Sequence, residues 1–509
     1  MGQTPDTLDC DILVVGGGIN GAGIARDAAG RGLSVVLCEK DDLASHTSSA
    51  STKLIHGGLR YLEHYEFKLV RKALIEREVL LRSAPHIIRP LRFVMPHDQG
   101  QRPDWIIRAG LFLYDHLARR DLLSGSSGIN LSKHIAGQPL KSEFKRGFVY
   151  SDGWVDDARL VVLCAIDAAE KGAKVFTRTL CESIVKQDGR WLAALRSTDE
   201  QIINVHARCV INAAGPWAAH VQQGITQQTR EKPVRLIKGS HIVVKRLFDH
   251  PYAYIFQHPD GRIVFAIPYE RDFTLIGTTD IEYHDDADSV AISRDEIAYL
   301  CDLSNHYFSQ AITPSDVVWS YSGVRPLVED HSSNASSVTR DYHFEFDDSA
   351  APQLSIFGGK ITTFRRLAEE AVDLVAPALN NHHGHWTVGA CLPGGDLFGT
   401  KPANRSVKEF DEFLSRLKKQ YSWLPTELLN RYAHAYGTRI NTLLRDRSSM
   451  MDLGIEIVPG LFAAEAEYWI KHEWATNATD MMWRRSKLGL HLPADAVNKL
   501  DAWIAAYIK

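Results

Sequence analysis

Three glycines near the start of the chain have the spacing of a diphosphate-binding turn. Gly16, Gly18 and Gly21 satisfy the pattern G-x-G-x-x-G. Such a turn lets the backbone approach a pyrophosphate because no side chain intervenes, and the following helix adds partial positive charge at its first turn. Glu39 comes later, where a carboxylate can accept hydrogen bonds from a ribose diol. These residues predict a dinucleotide site, but the turn alone does not separate NAD from FAD.

The segments around these glycines have the hydrophobic patterns that such a turn needs on either side. Residues 10–15 form an apolar run that predicts a strand, and residues 19–31 continue as a helix rich in small side chains. Residues 34–38 predict a second strand that ends at Glu39. The order strand, turn, helix, strand is that of a nucleotide-binding fold, in which the helix begins at the diphosphate.

Two later segments repeat the arrangement of an apolar strand that ends in small residues. Residues 212–215 read Asn-Ala-Ala-Gly, so the backbone of Ala214 and Gly215 can approach a cofactor. Gly358 and Gly359 follow another apolar run and precede a helix predicted over residues 360–376, whose amino terminus favours negative charge. We therefore expect the nucleotide domain to be assembled from separated stretches of the chain.

The composition excludes several classes of protein. The chain has 509 residues, 45% of them hydrophobic, which predicts two or three globular units. The formal net charge of −4 provides no overall positive field for nucleic acid. The seven cysteines include no C-x-x-C pair, which fits a reducing cytoplasm. The amino terminus has no secretory pattern, and no apolar run approaches the ~18 residues of a membrane span, so any membrane contact is expected to be peripheral.

Several further segments resemble one family in order along most of the chain. Residues 43–62 are rich in small hydroxyl side chains before a Gly-Gly pair. The other matching segments are residues 146–152, 212–217, 238–241, 276–280, 321–326 and 357–363. Together they resemble the aerobic, FAD-dependent glycerol-3-phosphate dehydrogenases. The resemblance implies hydride transfer from sn-glycerol 3-phosphate to FAD, with dihydroxyacetone phosphate as product and a membrane quinone as electron acceptor. It thus implies a role in glycerol catabolism and respiratory electron input.

The dinucleotide turn, Glu39 and the matching segments together supply the residues assigned to the cofactor. Those expected to bind FAD are Gly16, Gly18, Asn20, Gly21, Glu39, Thr47, Ser48, Ser49, Lys53, Leu54, His56, Gly57, Gly58, Ala214, Gly215, Gly359, Lys360 and Thr362. The hydroxyl groups of Thr47, Ser48 and Ser49 are expected to donate to the pyrophosphate or to the isoalloxazine side of FAD.

The same segments supply candidates for substrate binding and catalysis. Arg60, Arg325 and Lys360 are expected to bind the substrate phosphate, while Tyr61 and Thr279 are expected to orient the substrate through their hydroxyl groups. Hydride transfer from C2 becomes easier as the C2 hydroxyl loses its proton, which calls for a base. We prefer His56 as this base, with His241 or Arg325 polarising the same oxygen, and leave the choice between the two histidines open.

The expected fold class is α/β, α+β overall, with a Rossmann-type FAD-binding domain, an antiparallel-sheet substrate domain and a helical carboxy-terminal domain. Within residues 1–390, the FAD-binding segments are expected at about 1–75, 150–225 and 320–380, the substrate-binding segments at about 76–149 and 226–319, and the helical domain at 391–509. The histidines at 382, 383 and 385 fall in a polar stretch that we interpret as a loop, so we expect no metal.

Membrane contact and the electron acceptor remain open at this point. Residues 105–117, with Arg102, Arg108, Arg119 and Arg120 nearby, predict either an interfacial amphipathic helix or a buried domain helix. The resemblance implies a cytoplasmic protein, peripheral on the inner membrane, and a homodimer. An oxygen-dependent glycerol-3-phosphate oxidase would share these residues, and a related amino-acid oxidase would use the cations for a carboxylate. A flavin-bound protein without turnover is a further alternative.

Overall fold

The structure is a computed structural model. It describes residues 6–98, 102–225, 234–257, 262–328, 341–349 and 351–508. Residues 226–233 and 258–261 of the segment predicted to bind substrate, and residues 329–340 of the last FAD-binding segment, lie outside the described ranges.

Strands and helices are interspersed up to residue 375, and helices dominate after it. The strands are β1 Asp6–Val15, β2 Val35–Cys38, β3 Leu54–Ile55, β4 Ile88–Pro96, β5 Ser127–Asn130, β6 Arg146–Val155, β7 Lys174–Phe176, β8 Thr179–Gln187, β9 Arg190–Ser197, β10 Ile202–Asn212, β11 Val234–Lys245, β12 Ala253–Gln257, β13 Ile263–Tyr269, β14 Phe273–Gly277, β15 Ile281–Glu282, β16 Val317–Val328, β17 His343–Asp347, β18 Gln353–Phe357, β19 Glu456–Val458 and β20 Leu461–Phe462. The α-helices are α1 Ile19–Gly30, α2 Phe67–Ser83, α3 Asp104–His116, α4 Asp157–Glu170, α5 Ala218–His220, α6 Arg294–Tyr307, α7 Phe364–Val375, α8 Asn404–Lys408, α9 Phe410–Gln420, α10 Thr426–Tyr436, α11 Ile440–Leu443, α12 Ala463–Glu473 and α13 Ala496–Ile508.

The first sheet is the core of a nucleotide-binding domain. Its strand order is β17-β18-β10-β1-β2-β7, and the pairs from β18 to β7 are all parallel. Strand β2 is buried at every position, as expected of a parallel strand covered on both faces. Helices α1 and α7 pack their apolar side chains against one face of this sheet. The local predictions of strand, helix and strand over residues 10–38 are confirmed.

The carboxyl ends of three parallel strands meet at one edge of this sheet. Val15 of β1 pairs with Asn212 of β10, and Asn212 pairs with Ser355 of β18. Each strand then runs into a glycine-rich turn within a few residues. Ligands of open α/β sheets bind at this carboxyl edge, so three segments far apart in sequence converge on one place.

The second sheet has ten strands in the main order β15-β11-β14-β13-β12-β4-β6-β3, with β16 paired to β11 and β5 to β6. It is mostly antiparallel, as predicted, but β4 and β12 pair in parallel. The two strands are joined by a long connection rather than a hairpin, so no tight turn forces them to run in opposite directions. Strand β16 lies partly in the predicted FAD-binding segment 320–380 but pairs with β11 along its length.

The carboxy-terminal unit is helical and has its own apolar core. Leu429, Tyr436, Leu461 and Trp469 are among its fully buried side chains. The prediction of a helical carboxy-terminal domain is confirmed. Within the described residues, no helix combines the length and the apolarity needed to cross a bilayer.

Candidate active site

The glycine turn after β1 lines a cavity of about 770 Å³. Gly16 has φ +111°, and a Cβ there would lie 2.6 Å from the carbonyl oxygen of Ala213. A Cβ on Gly21 would lie 1.9 Å from the carbonyl oxygen of Gly16, so Gly21 keeps the helix packed on the turn without reaching the cavity. Gly18 caps α1 and lines the cavity. Backbone N–H groups at a helix start, free of side chains, suit a diphosphate.

Glu39 lies at the end of β2, on the wall of the same cavity. Its carboxylate accepts hydrogen bonds from the backbone N–H groups of Gly17 at 2.6 Å and of Asp41 at 2.9 Å. Burial raises the pKa of Glu39, and these two hydrogen bonds oppose the rise. The side chain is thereby fixed where a ribose diol would donate to it.

The hydroxyl-rich loop after Glu39 closes over the start of α1. Ser48 Oγ accepts from the N–H of Ile19 at 2.9 Å, and Thr47 Oγ1 donates to the carbonyl oxygen of Val324 at 2.6 Å. Both residues line the cavity, whereas Ser49 does not. The loop therefore joins the nucleotide turn to strand β16 of the second sheet.

The third glycine segment contacts α1 directly. Asn20 Nδ2 donates to the carbonyl oxygen of Gly358 at 3.2 Å, and its buried Oδ1 has no hydrogen-bond partner among the described residues. Gly359 has φ +98° and, with Ala214 and Gly215, forms part of the cavity wall. An unpaired buried acceptor beside side-chain-free backbone is what a bound cofactor would satisfy.

Five of the residues predicted for chemistry line this same cavity: His56, Tyr61, His241, Arg325 and Lys360. Lys360 Nζ lies 3.6 Å from the centre of the Tyr61 ring. Arg325 forms an ion pair with Asp280 at 2.9 Å and keeps 30% of its side chain exposed. The dinucleotide turn and two cationic side chains thus lie on one cavity, although hundreds of residues separate them in sequence.

His241 is almost completely buried, with 2% of its surface exposed. Burial, together with the positive charges of Lys53 and Arg325, holds its pKa well below the ordinary value. The imidazole is therefore neutral at physiological pH. His56 is less buried, and its backbone N–H donates to the hydroxyl of Thr362 at 3.2 Å.

Leu54 and Thr362 complete the predicted residues on the cavity wall, and five more residues besides Gly21 and Ser49 lie outside the cavity lining. Lys53 is buried against Asp157, with Nζ 2.8 Å from the carboxylate. The Thr279 hydroxyl is also buried and donates to Glu296 at 2.8 Å. Gly57, Gly58 and Arg60 lie outside the cavity lining. The side chains of Lys53 and Thr279 thus bind buried carboxylates of the protein in this structure.

Several residues that sequence reasoning did not single out also line the cavity. Lys40 lies over the Trp217 ring at 4.0 Å, and the His46 ring contacts Trp217 edge-on at 4.6 Å. Trp217 and His46 both belong to matching segments and could have been found there, whereas Lys40 lies outside all of them. Glu39, Asp41 and His46 could in principle hold a metal ion, but Glu39 already accepts two backbone hydrogen bonds.

The polar stretch with three histidines has no regular secondary structure, as predicted. His385 is half exposed and lies 2.7 Å from Asp373.

Two family models match the chain over most of its length. FAD dependent oxidoreductase matches residues 11–365, and the C-terminal domain of alpha-glycerophosphate oxidase matches residues 386–508.

Curated relatives are similar end to end. A glycerol-3-phosphate dehydrogenase of Pseudomonas aeruginosa is 52% identical over 97% of this chain and 94% of its own length. A D-erythritol 1-phosphate dehydrogenase of Brucella abortus is 48% identical over 96% of both chains. An aerobic glycerol-3-phosphate dehydrogenase of Escherichia coli is 46% identical over 98% of this chain and 97% of its own.

A solved structure shows the same architecture. The glycerol-3-phosphate dehydrogenase from Bacillus halodurans, complexed with FAD, superposes with a TM-score of 0.77 at 27% identity, covering 98% of this chain and 90% of that one. With the cavity described above, these matches show that the chain belongs to the FAD-dependent oxidoreductases, within the group of the aerobic glycerol-3-phosphate dehydrogenases.

Proposed function

We propose that this chain oxidises sn-glycerol 3-phosphate to dihydroxyacetone phosphate and passes the electrons to a membrane quinone. One observation supports the oxidation, whereas the quinone as electron acceptor rests on the family resemblance alone. The cavity that begins at the dinucleotide turn is also lined by His56, His241, Arg325 and Lys360. Cations for a phosphate and imidazoles for an alcohol are the groups that this reaction requires.

The residues divide the chemistry between them. Arg325 and Lys360 bind the phosphate of the substrate, because a guanidinium and an ammonium both form charge-assisted hydrogen bonds with phosphate oxygens. His56 takes the proton of the C2 hydroxyl while C2 gives up its hydrogen with the bonding electron pair and the C=O bond forms. FAD, when bound, supplies the acceptor for that hydride. The depressed pKa of His241 makes it a poor base, which supports His56 in that role.

The experiment is anaerobic addition of sn-glycerol 3-phosphate to the purified yellow holoenzyme. We expect the flavin absorbance to bleach, and we expect reoxidation by a soluble quinone analogue to be much faster than by oxygen. Faster reoxidation by oxygen would favour the oxidase, and bleaching by glycine alone would favour an amino-acid oxidase. Absence of bleaching by any of these compounds would contradict an enzymatic role.

D-erythritol 1-phosphate is the informative second substrate, because a relative that is 48% identical carries that activity in its name. We expect glycerol 3-phosphate to give the higher kcat/KM. The opposite order would keep the polyol-phosphate chemistry but change the assigned substrate.

Helix α3 supports peripheral contact with a membrane. Of its side chains only Leu111 and Tyr114 are buried, while Trp105 is 71% and Phe112 63% exposed. Arg108 is also exposed, so the helix presents aromatic and basic side chains together. This pattern favours an interfacial helix over a buried one and suits a membrane that contains anionic lipids. The cytoplasmic face of the inner membrane is the location we propose.

Membrane contact is tested by extracting the native protein from membranes with high salt or mild detergent. We expect the protein to stay with the membranes until high salt or mild detergent releases it. Recovery of all the protein in the first soluble fraction would contradict the proposal.

A further inference from the structure

The ring of His241 is clamped by packing in this cavity. It stacks on Tyr321, which is its direct partner on β16, with 4.8 Å between ring centres and 14° between planes. On another side it meets Gly277, where a Cβ would lie 2.1 Å from the ring carbon Cδ2. Packing therefore fixes the plane of the ring. It does not fix which way the ring is flipped, because the two flipped imidazoles have nearly the same shape, nor which nitrogen carries the proton.

Thr52 contacts one of the two ring nitrogens, whose positions and protonation the packing does not fix. Its Oγ1 lies 3.0 Å from Nε2 of His241, and Thr52 itself lines the cavity. The other ring nitrogen, Nδ1, is buried and has no hydrogen-bond partner among the described residues. A buried polar atom without a partner costs about 1–3 kcal/mol, so this nitrogen is suited to meet a bound ligand.

The neighbours of Thr52 hold the backbone that carries its side chain. Ser51 Oγ donates to Asp157 at 2.8 Å, and Lys53 Nζ binds the same carboxylate at 2.8 Å. The hydroxyl of Tyr321 donates to the carbonyl oxygen of Ser51 at 2.8 Å. The segment that carries Thr52 is thus tied down on both sides and also to the ring beneath His241.

We propose that Thr52 is a positioning residue for the oxidation, because its hydroxyl donates to Nε2 and so holds His241 in the tautomer with the proton on Nδ1. This inference rests on the proposed function. Nδ1–H then donates a hydrogen bond to the C2 oxygen while His56 removes the proton from that oxygen. A fixed donor of this kind stabilises the negative charge that develops on the oxygen as the C–H bond breaks. Thr52 contacts His241 and acts through it.

The test compares Thr52→Val with Thr52→Ser in the FAD-loaded enzyme. Valine keeps the shape of threonine and removes the hydroxyl, whereas serine keeps the hydroxyl. We expect Thr52→Val to lower the anaerobic rate of flavin reduction at saturating glycerol 3-phosphate by about tenfold, the effect of losing one hydrogen bond, with KM and FAD content nearly unchanged. Thr52→Ser should recover most of the rate.

Thr274→Val is the matched control. Thr274 is fully buried on β14, and its hydroxyl accepts from the N–H of Leu247 at 3.1 Å, away from the cavity. The control loses one buried hydroxyl too, so a general loss of stability would affect both variants, whereas we expect its reduction rate to match that of the wild type.

Three outcomes overturn the inference. The first is a rate of flavin reduction in Thr52→Val equal to that of the wild type. The second is a loss of rate in Thr52→Ser as large as in Thr52→Val, and the third is a loss of rate that a lower FAD content explains completely. If the wild-type flavin is not bleached by glycerol 3-phosphate, the proposed function itself fails, and the inference falls with it.

Where Thr52→Val does not fold, ¹⁵N-histidine spectra of the wild-type holoenzyme give an independent answer, with His241→Asn to assign the signal. A protonated Nδ1 and an unprotonated Nε2 support the inference, and the reverse tautomer overturns it.

Discussion

The carboxylate of Asp42 joins the helical carboxy-terminal unit to the loop that follows Glu39. It is 1% exposed and accepts from Arg485 at 2.5 and 2.7 Å and from Arg484 at 2.6 Å. The same loop continues to Ser48 at the start of α1. Asp42→Asn removes the negative charge that faces two guanidinium groups and keeps the size of the side chain. We expect this change to loosen the carboxy-terminal unit from the cofactor loop.

The free-energy cost of Asp42→Asn depends on the hydrogen-bond partners that Arg484 and Arg485 keep. Removing one partner of a buried ion pair costs about 3–5 kcal/mol because an uncompensated charge stays buried. Arg485 Nε still donates to the carbonyl oxygen of Glu473 at 3.0 Å, and Arg484 still pairs with Asp480. We therefore expect a cost at the lower end of this range, about 3 kcal/mol. A cost of that size increases the population in which the loop and the carboxy-terminal unit have separated locally by about a hundredfold.

Hydrogen exchange of the holoenzyme, read by mass spectrometry, measures that opening. Peptides covering residues 40–52 and 480–485 should exchange about a hundredfold faster in Asp42→Asn. Glu412→Gln removes an exposed partner of Arg405 and should leave exchange unchanged. Equal exchange in wild type and Asp42→Asn would refute the reasoning.

The same carboxylate makes stability depend on pH. Burial alone would raise the pKa of Asp42, but the charges and hydrogen bonds of Arg485 and Arg484 outweigh it and lower the pKa below its ordinary value. A group with a lowered folded-state pKa contributes stability above its unfolded pKa of about 3.9 and loses it as the pH falls through the folded value. Acid unfolding below about pH 4 should therefore be less steep in Asp42→Asn.

The remaining predictions concern the cavity and helix α3. Gly16→Ala places a Cβ against a backbone oxygen at φ +111°, so we expect FAD to bind about 10- to 100-fold more weakly by flavin titration, while Gly384→Ala, in open space, binds normally. Lys360→Met should lower kcat/KM about 10- to 100-fold through loss of a charged hydrogen bond, and an unchanged value would exclude it from phosphate binding. Trp105→Ser with Phe112→Ser should abolish sedimentation with anionic vesicles and leave flavin reduction intact; unchanged sedimentation would exclude α3 as the contact.

Local elements could be predicted from the sequence because their signals are local. The glycine spacing and apolar runs over residues 10–38 gave β1, α1 and β2 within a few residues of their observed bounds. In each case the residues that determine the element are those within it.

The cavity wall could be predicted only in part, because partners far along the chain decide it. Thr279 and Thr52 are both hydroxyl residues in matching segments. The hydroxyl of Thr279 nevertheless donates to Glu296, whereas the hydroxyl of Thr52 lies beside Nε2 of His241. Lys53 pairs with a carboxylate that is 104 residues away. Nothing within a short stretch of sequence specifies such pairings.

The order of strands in the first sheet has a consequence for synthesis on the ribosome. Strand β10 lies between β1 and β18, so the central part of that sheet is incomplete until Phe357 has left the ribosome. At about 5–20 residues per second, this takes roughly 20 to 70 s, during which the apolar faces of β1 and α1 lack their final neighbours. The nascent chain is therefore an expected client of chaperones for most of its translation. The carboxy-terminal unit has its own core within residues 397–504, so it can fold within a shorter interval.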